Sequence, residues 1–354
     1  MPYQWPLDPQ ELFVERYAQM VNTGLPAHDA DAMRAAISDM WADEPGGWVF
    51  EWSQLGARYA DERHDPLATL AYGWAKFPVL ADDAKRKALQ HQVEHYLVAA
   101  EEFPVAFERA SLEVLYDGSS IGLPVHLLAA PNLPDNAPIL IASGGVDSWK
   151  MDLHALFVAF ALNTRMRVLA FDIPGTGECP VPLSRDSVDM IDGLVSRARE
   201  LGDGTVAHLG ISMGGYFSAA TGLASTVDAA IVLGGPVASA FTPDRSFQFG
   251  MADIVGNAFG FDRPPSAQER AERTAGMSLR PLLEGETNSP MIVVNGADDI
   301  HVPQADTLVF QNRRDTRVEL LPNTGHCAIS KLGEVIPLTI EWLNETLNAV
   351  YAAR

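Results

Sequence analysis

From Pro104 onward the chain alternates between two hydrophobic periods, and this alternation narrows its fold more than any other feature. Short apolar runs read as strands at Pro138–Ser143, Arg167–Phe171, Val206–Ile211, Ala229–Leu233, Met291–Val294 and Arg317–Leu321. Helix-period segments lie among them at Trp149–Leu162, Asp186–Leu201 and Tyr216–Leu223, and a helix from about Ile329 to Tyr351 closes the chain. Ser111–Tyr116 and Leu123–Leu128 add a strand pair around the turn Asp117-Gly118. Strand–helix alternation of this kind predicts an α/β fold, a mostly parallel sheet with helices on both faces.

Before Pro104 the pattern is different. From about Pro9 to Phe103 the chain is Ala-rich and helical, broken at Gly24-Leu25-Pro26, Pro45-Gly46-Gly47 and Phe77-Pro78. Its last segment, Ala81–Phe103, predicts one long helix with acidic residues at its start and a proline at its end. Two regions follow: an N-terminal helical lid or cap over 1–104, and a catalytic domain over 105–354. Within the second, 241–289 breaks the rhythm as a partly helical insertion. Trp74 and Phe77 of the first region are candidates to line a pocket, with core packing as the alternative.

Hydrophobic residues form 47% of the 354 positions and charged residues 20%, enough to bury a sizeable core. Carboxylates outnumber Lys and Arg by 46 to 25, for a net charge of −21. That balance argues against nucleic acid and anionic membranes as partners and leaves a small molecule as the expected one. Cys179 and Cys327 are too few for a disulfide framework. No basic stretch followed by an apolar one opens the chain, and the uncharged run Ala229–Thr242 is too short to span a bilayer, so a cytoplasmic location is expected. The apolar faces of the N-terminal helices leave a homodimer open.

The chemistry centres on Gly210-Ile211-Ser212-Met213-Gly214, which follows one predicted strand and precedes a helix. A nucleophile held on a sharp strand-to-helix turn needs small neighbours, because its backbone is strained and its flanks pack closely. The Met213 N–H at the helix start can then face a developing oxyanion. A serine needs a base. His326, in Asn323-Thr324-Gly325-His326-Cys327 just after a strand, stands where the base belongs when the order is Ser, acid, His. The acid is expected in Asn295-Gly296-Ala297-Asp298-Asp299, and the spacing to Gly296 and Pro303 favours Asp299 over Asp298. Its task is to fix the imidazole tautomer and stabilise the imidazolium.

A second oxyanion donor is expected from Val146 N–H, after the strand that ends in Gly144-Gly145. Asp147 comes next. It is either the N-cap of the helix Trp149–Leu162 or a carboxylate at the oxyanion hole that handles a substrate hydroxyl or proton. Asp172-Ile173-Pro174-Gly175-Thr176-Gly177 reads as a tight turn, since Cys179-Pro180-Val181-Pro182 excludes a dinucleotide loop. His91-x-x-Glu94-His95 matches an inverted zinc-protease pattern, but its surroundings read as a solvated helix face. Neither a metal nor a cofactor is expected.

Together these residues resemble the α/β-hydrolase superfamily from about Ser111 to the C-terminus. More narrowly, Gly144-Gly145-Val146-Asp147-Ser148, Phe171-Asp172-Ile173-Pro174-Gly175-Thr176-Gly177 and Tyr72-Gly73-Trp74-Ala75-Lys76-Phe77-Pro78 resemble the FrsA-like esterase group. That group includes dihydroxypseudooxynicotine hydrolase and fungal hydrolases that shorten pigment polyketides. The resemblance implies that the N-terminal helices fold over the catalytic edge of the sheet, and that an acidic residue at Asp147 matters. The nicotine-pathway member carries Glu there. The expected activity is serine hydrolysis of a small ester or ketone through an acyl-enzyme, extending to carbon–carbon cleavage of a β-diketone or polyketide-like compound. A simple carboxylesterase or an acyltransferase or cyclase would use the same triad; a ligand-binding protein with a decayed site is the rival from another class.

Overall fold

The computed structural model describes residues 2–243, 245 and 247–353. They form two compact units. The first takes in the residues up to Phe103 together with Met151–Leu153 and Phe247–Pro265, and the second holds the remaining described residues.

The second unit is built on one eight-stranded sheet. Its strands are β1 (Ala106–Tyr116), β2 (Ser119–Ala129), β3 (Ile139–Ser143), β4 (Arg167–Phe171), β5 (Val206–Ile211), β6 (Ala229–Leu233), β7 (Met291–Gly296) and β8 (Thr316–Leu321), in the spatial order β1-β2-β4-β3-β5-β6-β7-β8. From β4 to β8 all neighbours are parallel, while β2 is antiparallel to both β1 and β4. The central strands β3 and β6 are buried at every position, as apolar runs covered on both faces must be. The β1–β2 hairpin is longer than its apolar residues alone predict. Tyr116 pairs with Ser119, and Asp117 and Gly118 both take positive φ, the two-residue turn that matches strand twist.

One predicted helix is displaced. Instead of starting at Trp149 it spans His154–Asn163. Asp172 at the end of β4 accepts the Lys150 backbone N–H at 2.9 Å and its ammonium at 2.5 Å, which holds the chain in turns over this stretch. Asp147 therefore lies seven residues upstream of the helix and is not its N-cap. The helix Met213–Leu223 starts three residues earlier than its periodicity suggests, directly after Ser212. The 241–289 segment contains helices at Met251–Ala258, Ala267–Thr274 and Arg280–Leu283, and residues 244 and 246 lie outside the described part.

The first unit contains helices Pro9–Asn22, Ala27–Ala36, Trp48–Asp61, Asp65–Lys76 and Asp83–Ala99. Asp8 and Asp82 cap the first and last of these through their side chains. Phe13, Trp48, Trp52, Trp74 and Phe77 form its aromatic core, with ring centroids 5.0–6.2 Å apart. Trp74 and Phe77 are buried there, each packed against at least two of the other rings. The buried Lys76 ammonium pairs with Asp152 at 2.7 Å, and Gln92 donates to the other oxygen of the same carboxylate. His91 and His95 flank the Tyr72 ring, and their Nδ1 atoms bond Glu94 and Asp65, at 3.0 and 2.7 Å. Among the described residues no group of three or more His, Cys, Asp or Glu side chains is placed to hold a metal, and no helix is long and apolar enough to cross a membrane.

Candidate active site

Ser212 occupies the bend between β5 and the following helix with φ 55° and ψ −122°. A non-glycine residue in that region stores on the order of 1–3 kcal/mol of strain and persists only where its surroundings over-determine it. Here Ser212 N–H donates to Leu233 O at 2.8 Å, anchoring the bend to β6, and Ser212 O accepts from Gly215 N–H at 2.8 Å. A side chain at Gly210 would collide with the Gly214 backbone, so the bend closes only with glycine on both flanks.

His326 Nε2 lies 2.9 Å from Ser212 Oγ, and His326 Nδ1 lies 2.8 Å from Asp299 Oδ2. Three loops, after β5, β7 and β8, thus bring together side chains up to 114 positions apart. Asp298 is exposed in the same turn, and Asp299 is the aspartate that faces the imidazole. Asp299 Oδ1 accepts from the N–H groups of His301 and Val302, at 2.7 and 3.0 Å. Burial favours the neutral acid, but His326, Asn295 and Val302 outweigh it and hold Asp299 below the usual carboxylate range.

Burial also disfavours a charged His326, yet the histidine is held above its ordinary value of 6.5. The neighbouring Cys327, whose thiol donates to Leu233 O at 3.3 Å, and the Asp299 carboxylate at 2.8 Å together produce the rise. His301 packs edge-to-face on His326, with ring centroids 5.3 Å apart.

On the other side of the serine, Gly145 N–H donates to Ser148 O and closes a turn with Val146 and Asp147 at its tip. This turn passes close to Ser212. A β-carbon on Gly145 would lie 2.9 Å from Ser212 Cβ and 3.0 Å from Oγ. Met213 is the first residue of its helix, so its N–H has no intrahelical acceptor. Asp147 is buried, and Ser148 Oγ lies 3.4 Å from its carboxylate.

Sequence reasoning missed the network beneath this turn. Lys150, fully buried, bonds Asp172 at 2.5 Å and Glu178 at 2.8 Å, and Glu178 in turn bonds Arg109 through both oxygens. The Asp172 turn is thus an electrostatic anchor as well as a bend. A lone lysine after Trp149 and an aspartate before Pro-Gly were the available signals. Asn295 was missed as well, and nothing in its local sequence marks it.

A sheet of this order, with a serine on the bend after its fifth strand and a histidine and aspartate meeting it from the loops after the eighth and seventh, defines an α/β-hydrolase. The chain belongs to the FrsA-like esterase family, whose model matches residues 18–347. It is 27% identical over 242 residues to esterase FrsA of Vibrio cholerae, covering 61% of this chain and 56% of that protein. With the α/β hydrolase pydG of an Acremonium species it shares 27% over 227 residues, 54% of this chain and 51% of that one. The chain thus spans a little over half the length of the curated relatives it matches. Among solved structures, AbyA5 superposes with a TM-score of 0.81 at 20% identity, covering 96% of this chain and 94% of that one. The 2,6-dihydroxy-pseudo-oxynicotine hydrolase superposes with 0.73 at 20% identity, covering 94% and 96%. These two likenesses are likenesses of fold.

Proposed function

We propose that the protein is a serine hydrolase that works through an acyl-enzyme on a small ester or ketone. The observation that carries this reading is the continuous hydrogen-bonded line from Ser212 Oγ through His326 to Asp299. Ser212 attacks the substrate carbonyl and its proton passes to His326 Nε2. Met213 and Val146 N–H groups receive the oxyanion. Collapse expels the leaving group, which takes the proton from His326. Water then enters, gives a proton to the same nitrogen, and releases the acyl group.

Because the base must be neutral to act, a raised His326 pKa has a definite consequence. The acid limb of kcat/KM is expected to have its midpoint above the ordinary histidine value of 6.5, with rate rising as pH rises through it. Asp299→Asn removes the anion that favours the imidazolium, so the midpoint should move down, with kcat lowered by about 10⁴. An unmoved midpoint in that variant would detach Asp299 from the chemistry. Formation of a fluorophosphonate adduct on Ser212 tests the nucleophile itself; no adduct would favour a binding protein on this fold.

A second reading, carbon–carbon cleavage of a β-diketone, is favoured by Asp147. Its carboxylate sits on the turn that abuts Ser212, and its part as a helix cap is gone. In that reaction the leaving group departs as an enolate, and Asp147 or His326 supplies its proton. Incubation with a nitrophenyl ester and an aryl 1,3-diketone separates the two readings. Turnover of the diketone, lost in Asp147→Asn, supports carbon–carbon cleavage, whereas turnover of the ester alone sinks it.

A further inference from the structure

The loops that carry the acid and the base are joined by one buried amide. Asn295, at the end of β7, is fully buried. Its Nδ2 donates to Asp299 Oδ2 at 2.8 Å, the same oxygen that faces His326 Nδ1. Its Oδ1 accepts two backbone N–H groups at 2.9 Å, from Gly296 and from Cys327, the residue directly after His326. One side chain therefore grips the carboxylate with its donor end and the histidine loop with its acceptor end.

The need for such a grip is visible in the backbone on either side. Cys327 has φ 55° and Ala328 φ 51°, so the chain just past His326 runs through two consecutive left-handed residues. Conformations of that kind hold only when neighbouring groups fix them. The Cys327 N–H to Asn295 is one such constraint, the Cys327 thiol to Leu233 O a second, and the Ala328 N–H to Gly325 O at 2.9 Å a third. Farther out, Asp298 N–H donates to Thr324 O at 3.0 Å and Ala297 N–H to Leu321 O at 2.7 Å, so the two loops also touch through main chain. These outer bonds set the loops side by side.

Resting on the hydrolase reading above, we propose that Asn295 is a positioning residue of the reaction: it aims Asp299 Oδ2 at His326 Nδ1 and locks the His326 loop in register with it. An amide is suited to this task and a carboxylate is not. It presents a donor to the anion and an acceptor to the backbone N–H groups within one planar group, whereas Asp at this position would set a second carboxylate against Asp299. The charged and titratable groups that face this pair are His326, at 2.8 Å from Asp299, Cys327, whose N–H donates to Asn295 Oδ1 and which interacts with His326, and Arg245, whose charge interacts with Asp299 from the segment after β6. His301 packs on His326 from the acid loop itself.

The test uses the whole chain, a nitrophenyl ester and a fluorophosphonate, each followed from pH 5 to 10. Asn295→Ala is expected to lower kcat by about 10- to 100-fold with KM unchanged, since a misaimed base costs rate and leaves binding alone. Asn295→Asp preserves volume and the acceptor oxygen; two buried carboxyl groups 2.8 Å apart do not both ionise, so the new one keeps a proton near neutral pH and donates it to Asp299 as the amide does. Its kcat should stay within about a few-fold of the unaltered protein's near neutral pH and fall as pH rises and that proton leaves, since the donor to Asp299 goes with it. A merely structural asparagine would lower the melting temperature in both variants without lowering kcat or adding an alkaline fall, and that pattern would overturn the proposal. If Asn295→Ala does not fold, the Asn295→Asp profile decides alone: an alkaline side no different from that of the unaltered protein overturns it. Failure of the hydrolase reading shows separately, as absence of labelling at Ser212 in the unaltered protein.

Discussion

Ser212→Ala is expected to lower turnover by a factor of about 10⁴ or more and to abolish fluorophosphonate labelling, with the melting temperature unchanged within a degree or two. The size follows from the site. His326 can activate only a group at its Nε2, and the Ser212 hydroxyl is the group placed there, at 2.9 Å. Removing Oγ leaves the β-carbon, the bend and the bond from Ser212 N–H to Leu233 in place, so folding has no reason to suffer. Residual rate above the uncatalysed one would come from the oxyanion donors alone. Ser212→Gly makes a useful companion. It loses the same chemistry but relieves the positive φ at this position, and is expected to melt higher than Ser212→Ala. Undiminished activity in either variant, measured on protein freed of contaminating esterase, would end the assignment.

The second large effect is on stability. Lys150→Met is expected to destabilise the protein by about 3–5 kcal/mol. The ammonium is completely buried and satisfies Asp172, itself buried, and Glu178, whose pKa is held at about 2 although burial alone would raise it. Methionine fills the space but leaves two carboxylates without the ammonium between them, with Arg109 left to balance Glu178. Breaking one partner of such a group costs far more than the group's net worth, because the remaining charge stays buried. The melting temperature should fall by about 5 °C. The Lys150, Asp172→Met, Asn double variant should recover part of the loss. Additive losses in the double variant, measured by denaturant unfolding, would show that the pair is not coupled. Since Lys150 follows directly on the turn that abuts Ser212, activity should also fall in proportion to the loosening of that turn.

Much of this protein is legible in its sequence because its strongest signals are local. The strands β4, β5 and β6 are buried on both faces, so each is an unbroken apolar run bounded by turn residues, and its limits are the limits of the run. The serine bend is legible for the same reason, since its glycines are demanded by contacts within five residues. His326 and Asp299 emerge from loop position and chain order. What the sequence hides are pairings across long separations. Asp172 gives no sign that it will hold a lysine on another loop, and so the helix after Trp149 is read several residues too early. Asn295 bonds across 32 positions, and an asparagine before a glycine looks like any turn. Trp74 and Phe77 show the converse. An aromatic residue on an apolar helix face reads alike whether it meets a ligand or another ring, and here each meets other rings of its own unit.

The first compact unit is not contiguous in the chain, and this constrains how the polypeptide can mature. The counterion of buried Lys76 arrives with Asp152, and the Tyr3 hydroxyl donates to the carbonyl of Asp253. A nascent chain released at Phe103 would hold the helices from Pro9–Asn22 to Asp83–Ala99 without the Asp152 carboxylate that Lys76 bonds. Translation must run past residue 253 before those bonds can close, so the N-terminal helices have to wait, partly assembled, while most of the sheet is still being made. For the same reason an N-terminal cassette cut at Phe103 would leave out the Met151–Leu153 and Phe247–Pro265 segments that belong to this unit.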